Sequence, residues 1–194
     1  MKLRGLYAIT PEGPGLKEKV RAALEGGIAL LQYRRKGEAS LDEAREILQL
    51  ARAHRVPMIV NDDLELALEI GADGVHLGRE DGDLAGARRR LGGKLLGASC
   101  YDDPGRARAA VRTGVDYLAF GSVFPSPTKP HAVRAPLSLF GNKLGVPLCA
   151  IGGITLANAP QVVAAGADMV AVISDLFDAP DIAARAREYA RLFA

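Results

Sequence analysis

Apolar residues fall along this chain in two rhythms. Short dense runs predict eight strands, at residues 4–10, 29–33, 57–61, 74–77, 94–99, 117–123, 147–151 and 169–174. Between them apolar positions recur at helical spacing. The clearest case is SLDEAREILQLARAHR, where Ser40 and Glu43 have capping-box spacing and Leu41, Ala44, Ile47, Leu48 and Ala51 mark one face. Thr155 and the pair Asp103 and Pro104 are further helix-start signals. A final helix places Ile182, Ala186, Tyr189 and Phe193 on one side, as docking against a barrel requires. The helix between the sixth and seventh strands is the shortest.

A repeated phrase organises these elements. GADGVHLG from Gly71, GVDYLAFG from Gly114 and GADMVAVIS from Gly166 share one pattern, and GGIALLQYR from Gly26 is a looser copy. Each glycine follows a helical pattern, where it can close the helix in the left-handed conformation, and precedes a short apolar strand. Two strand-plus-helix units fit each interval. Strict alternation of eight strands and eight helices predicts an α/β chain folded as one (β/α)₈ TIM barrel over residues 1–194. A doubly wound open sheet is the alternative.

Composition narrows the setting. A 48% hydrophobic chain of 194 residues can bury one core without disulfides. Its formal charge of +2 predicts neither nucleic-acid nor membrane partners, so any positive patch must be local, and a homodimer stays open. Cys100 and Cys149, read as free thiols, suit a reducing cytoplasmic setting. Residues 2–9 read as a strand, not a targeting peptide, and no apolar run approaches the ~20 residues of a membrane span.

Barrel chemistry belongs at the C-terminal strand ends. Gln32, Arg34 and Lys36 alternate, so an extended strand would turn two cations and an amide toward the mouth; a solvated basic turn is the plain alternative. Asp62 and Asp81 follow neighbouring strands as hard oxygen donors suited to Mg²⁺ shared with substrate phosphates, although Asp81 could instead cap a helix; Asp63 is a cap for the helix starting at Leu64. Gly152 and Gly153, with the backbone near Ile173 and Ser174, occupy the place where barrels bind phosphate through N–H groups. Lys129 leaves the sixth strand between these two anion sites in a proline-stiffened loop with Ser126 and Thr128. It can neutralise a leaving diphosphate; a Schiff-base amine and an ordinary surface lysine are the alternatives. His54 reads as helix surface, His76 as a packed strand residue, and Cys100 lacks a histidine partner nearby in sequence.

The ordered segments LYAIT, LQYRRK, VNDDLELA, GADGVHLGRED, LLGAS, DYLAFGSVFPSPTK, AIGGI and AGADMVAVIS resemble the thiamine-phosphate synthase family over nearly the whole chain. The resemblance implies a Mg²⁺-dependent barrel enzyme joining hydroxymethylpyrimidine diphosphate to hydroxyethylthiazole phosphate. It further implies dissociative chemistry, in which diphosphate departs and the thiazole nitrogen captures a pyrimidine carbocation. Carried over by position, Asp62 and Asp81 are metal ligands; Arg34, Lys36 and Lys129 are diphosphate cations; Gln32, Asn61 and Ser99 contact the pyrimidine diphosphate end. Ser126, Thr128, Gly153, Ile173 and Ser174 fall on the thiazole-phosphate side, and Arg34, Lys36, Ser99 and Lys129 are the expected catalytic set.

The chain departs from the family pattern at several places. Ser126 stands for the usual threonine, Arg35 for a common acidic residue, and Tyr101 for a frequent histidine, while the segment from Lys129 to Gly152 is short. A related thiazole tautomerase uses that histidine and lacks the carboxylate matching Asp81, so Tyr101, Asp81 and the intact SPTK favour the synthase. A noncatalytic phosphate-binding regulatory barrel is the third reading.

Overall fold

The computed structural model describes residues 3–37, 40–125 and 133–194. Eight parallel strands, β1 (Gly5–Ile9), β2 (Leu30–Tyr33), β3 (Met58–Asn61), β4 (Gly74–Leu77), β5 (Leu95–Tyr101), β6 (Tyr117–Phe120), β7 (Leu148–Ile151) and β8 (Met169–Val172), pair in chain order. The ring closes through β1 and β8, with Tyr7 opposite Ala171, which excludes the open sheet. All eight strands lie where the apolar runs place them.

Helices α1 (Leu16–Glu25), α2 (Leu41–Ala53), α3 (Leu64–Glu69), α4 (Leu84–Leu91), α5 (Pro104–Arg112), α6 (Ala159–Ala164), α7 (Ser174–Phe177) and α8 (Ile182–Arg191) surround the barrel. Strict alternation fails between β6 and β7 and again after β8. Among the described residues β6 and β7 are joined by a 3₁₀ turn, Leu137–Gly141, because Pro136, Gly141, Gly145 and Pro147 leave no uninterrupted helical stretch. The helix count is made up by α7, a single turn inserted after β8.

Strand alternation produces two cores. Tyr7, Ile9, Leu30, Ile59, Tyr117 and Met169 fill the barrel interior. The opposite phase, including Leu6, Leu31 and Val60, meets the helices, and the predicted face of α2 buries Ala44, Ile47, Leu48 and Ala51. Each such Leu or Ile contributes about 1.5–3 kcal/mol of burial. On α8, Ala186 and Tyr189 are fully buried, while Ile182 and Phe193 pack partly against the same core.

Local signals need three adjustments. Ser40 caps α2 by accepting from the Glu43 amide at 3.4 Å, but the Glu43 carboxylate turns away to Tyr33 and Arg35, so the box is half formed. Thr155 opens its helix only through its carbonyl, which accepts from Asn158 and Ala159, and α6 proper begins at Ala159. In the looser repeat the left-handed residue is Gly27 (φ 86°), one later than expected; Gly26 is needed instead because a Cβ there would lie 2.4 Å from Ala186 Cβ.

The repeat's aspartates have a common structural use. Asp73 takes the Met58 amide on its carboxylate at 2.8 Å and returns its own amide to the Met58 carbonyl at 3.0 Å. Asp116 pairs in the same two ways with Leu96, and Asp168 with Leu148. Each carboxylate thereby clasps the entering end of β3, β5 or β7 to the strand that follows, at the barrel end opposite the mouth.

Candidate active site

The exits of β1 and β2 are tied together first. Thr10, fully buried, accepts from the Arg34 amide at 2.9 Å and donates to the Arg34 carbonyl at 3.0 Å. Strand alternation then separates the basic triplet. Arg35 turns outward to Glu43 at 2.7 Å, the Pro11 carbonyl and the Tyr33 ring, which gives the residue standing for a common acidic one a purely structural role. Arg34 lies on the mouth side, close enough to Asp62 for its charge to act there. Lys36 is exposed, with its amide held by Glu12 at 2.9 Å. The plain reading of a solvated turn therefore fits the exposed Lys36 but not Arg35, which is paired and largely covered.

Two carboxylates meet beside Arg34. Asp62 leaves β3 with a left-handed backbone (φ 62°), a conformation aspartate tolerates, and accepts from Asn61 Nδ2 at 2.5 Å. Asp81 accepts the Gly78 amide at 2.7 Å; the cap of α4 is Asp83, so the capping alternative for Asp81 does not hold. Asp63 does cap α3, accepting from Leu66. Desolvation and the facing Asp81 carboxylate push the Asp62 carboxyl up to about 6, against the opposing pull of Asn61 and Arg34. Asp62 remains exposed as a residue, so the like charge of Asp81 is the part of that rise a cation can cancel. Two hard oxygen donors of the kind Mg²⁺ takes converge here, while the described residues hold no group of three or more His, Cys, Asp or Glu that could bind a metal by themselves.

Below the mouth runs a buried polar chain. Gln32 Nε2 donates to Tyr7 Oη at 2.7 Å, Tyr7 Oη lies 2.8 Å from Tyr117 Oη, Tyr117 Oη lies 2.9 Å from His76 Nδ1, and His76 Nε2 lies 2.9 Å from Ser99 Oγ. Burial lowers the His76 pKa to about 4 and raises both phenols, so all three groups are neutral at pH 7. Gln32 and Ser99 were singled out from the sequence, and Tyr7 and Tyr117 were not. Their signal was available: both fall in the inward phase of their strands, as Gln32 does in β2.

Tyr101, also left-handed (φ 56°), accepts the Arg79 amide on its hydroxyl at 3.1 Å and is bracketed by the Arg79 and Arg106 guanidinium groups, 4.9 and 5.9 Å from the ring centre. Arg106 ties the exits of β4 and β5 by donating to the Ser99 carbonyl at 2.7 Å and the Gly78 carbonyl at 2.9 Å. Across the mouth, Gly152 (φ 97°) and Gly153 (φ 63°) pack so closely on the β6 exit that a Cβ on Gly153 would lie 2.4 Å from the Pro125 carbonyl oxygen. Ile173 and Ser174 lead into α7, which Asp175 anchors through Arg185 and Tyr189, both at 2.7 Å. Ser126, Thr128 and Lys129 lie outside the described residues, as does the start of the shortened segment.

The model of the thiamine monophosphate synthase family matches residues 6–176. The chain is 59% identical to the thiamine-phosphate synthase of Aromatoleum aromaticum, covering 99% of this chain and 97% of the relative. Against the thiamine-phosphate synthase of Chromobacterium violaceum the identity is 56%, with the same coverage of 99% and 97%. The solved thiamine phosphate pyrophosphorylase of Pyrococcus furiosus superposes with a TM-score of 0.88 at 34% identity, covering 98% of this chain and 96% of that one.

Proposed function

The chain belongs to the thiamine monophosphate synthase family, and from that premise we propose that its diphosphate site is built on the exits of β2, β3 and β4 and works with Mg²⁺. As a thiamine-phosphate synthase it is a transferase. The bond between the pyrimidine methylene carbon and the diphosphate oxygen breaks with both electrons leaving on diphosphate, and the thiazole nitrogen lone pair forms the new carbon–nitrogen bond.

The observation that carries the site reading is the meeting of Asp62 and Asp81 beside Arg34. When bound there, Mg²⁺ supplies charge neutralisation to the diphosphate oxygens. Arg34, Lys36 and Lys129 add fixed positive charge where negative charge develops on the leaving group, which lowers the barrier more than it tightens the ground state. Asn61 holds Asp62 and, with Gln32 and Ser99, takes the pyrimidine diphosphate end. Gly153, Ile173 and Ser174, with Ser126 and Thr128, take the thiazole phosphate. Tyr101 occupies the place of the tautomerase histidine with a phenol already engaged by Arg79, which supports the synthase over that alternative. The balanced charge and buried free thiols support small-molecule substrates and a cytoplasmic setting, and sedimentation decides between monomer and homodimer.

The test is formation of thiamine phosphate from the two substrates with and without Mg²⁺, in the wild type beside Asp81→Asn and Lys129→Ala. We expect metal-dependent product and a fall of about 10²-fold or more in each variant. Undiminished turnover in chelator would overturn the metal site, and an active Lys129→Ala would remove that lysine from the reaction.

A further inference from the structure

We propose that Tyr7 and Tyr117 are positioning residues that, with His76, form a one-way hydrogen-bond chain from Gln32 to Ser99, so that the Ser99 hydroxyl proton points into the mouth toward an anionic substrate oxygen. The direction follows from counting protons. The Gln32 amide nitrogen can only donate, so Tyr7 Oη accepts, and because Tyr117 Oη is its one other polar partner among the described residues, the single Tyr7 proton goes there. Tyr117, having accepted, sends its own proton to His76 Nδ1. A neutral imidazole that accepts at Nδ1 carries its proton on Nε2, and that nitrogen donates to Ser99 Oγ. The serine proton is then the one left over.

The reverse direction would have Ser99 donate into the barrel, and would either leave the buried Tyr7 proton without an acceptor or require Gln32 to turn its Oε1 toward Tyr7. Ser99 would then show an anion only lone pairs. An anionic oxygen at Ser99 therefore selects the forward direction, in which Gln32 keeps Oε1 available to accept from a ligand N–H. The chain thus couples an anion donor on β5 to an amide acceptor on β2, and suits a substrate that carries a phosphate and an N–H donor together. Space for it is specific: a Cβ on Gly97 would lie 2.1 Å from Tyr117 Cζ and 2.5 Å from His76 Nδ1. No side-chain polar atom among the described residues is buried without a partner, so the chain is complete.

The identity of the ligand rests on the synthase reading, whereas the direction of the chain does not, and two readouts keep them apart. The first is ¹⁵N NMR of the histidines, with His76 assigned through His54→Gln and His131→Gln. We expect the wild type to hold a neutral His76 protonated on Nε2, Tyr7→Phe to keep that tautomer because Tyr117 still donates, and Tyr117→Phe to lose it. A merely structural role would move both variants alike. The second is steady-state kinetics, where Tyr117→Phe should lower kcat about tenfold with the KM for thiazole phosphate within about twofold. A wild-type proton on Nδ1 would overturn the proposal. So would a Tyr117→Phe protein with the wild-type tautomer and kinetics. If that variant does not fold, the wild-type and Tyr7→Phe tautomers still decide the direction. Absence of turnover in a wild type carrying the proton on Nε2 would sink the synthase reading and leave the chain standing.

Discussion

Asp62 is under opposing demands, since the proposed Mg²⁺ would need it ionised while partial desolvation and Asp81 hold its proton. It titrates at about 6 in the fold against an ordinary 3.8, so between those values the folded state keeps a proton that the unfolded chain has released. Its contribution to stability is therefore greatest below about pH 3.8 and declines as the pH rises toward 6. Asp81→Asn removes the like charge and retains an oxygen for the Gly78 amide. In the metal-free protein at pH 8 this should raise Tm by a few degrees, with solvent screening limiting the gain to about 1 kcal/mol, and return Asp62 toward its ordinary titration. Thermal unfolding and a ¹³C carboxyl titration read both effects; an Asp62 still titrating near 6 would mean that burial alone sets it. The same pair shows a limit of sequence reading. Both carboxylates were legible as strand-exit residues, yet nothing in VNDDLELA or HLGRED says that one faces the other, because that depends on the left-handed turn at Asp62.

At the level of elements, the three aspartate clasps hold the strands in register at the end away from the chemistry. Asp168→Ala leaves the buried Leu148 amide without its carboxylate partner, a loss of about 1–3 kcal/mol that a urea midpoint should record. Because the clasp is remote from the mouth, kcat and KM per folded molecule should stay at the wild-type values, and a kinetic change of more than about twofold would contradict that separation. The Gly-x-Asp phrase itself was plain in the sequence, and with its looser, aspartate-free copy at Gly26 it located half the strands. Its bonding was not, since the aspartates reach 15 or 20 residues back along the chain, well beyond the reach of local patterning. The 3₁₀ turn in place of a helix was half legible: Pro136, Gly141, Gly145 and Pro147 forbid a long helix but do not say what replaces it.

For the molecule as a whole, the two thiols report on the two cores separately. Cys149 lies inside the barrel and Cys100 between barrel and helices; both are fully buried, and burial pushes the Cys100 thiol up to about 12 and Cys149 higher still. A thiol reagent should leave both untouched in native conditions and label both in one phase on unfolding, whereas Cys100 reacting first would show the helical layer opening around an intact barrel. The barrel was legible because eight apolar runs and four glycine turns agree at every level. What crosses its interior was not, since the contact of Tyr7 with Tyr117 joins β1 to β6 and appears only once the ring has closed. That crossing has an evolutionary consequence. Loop residues at the mouth can drift one at a time, but positions 7, 32, 76, 97, 99 and 117 share one row of protons and one volume. A lineage that alters any of them should be found to have altered its neighbours too, so these six should be inherited as a block.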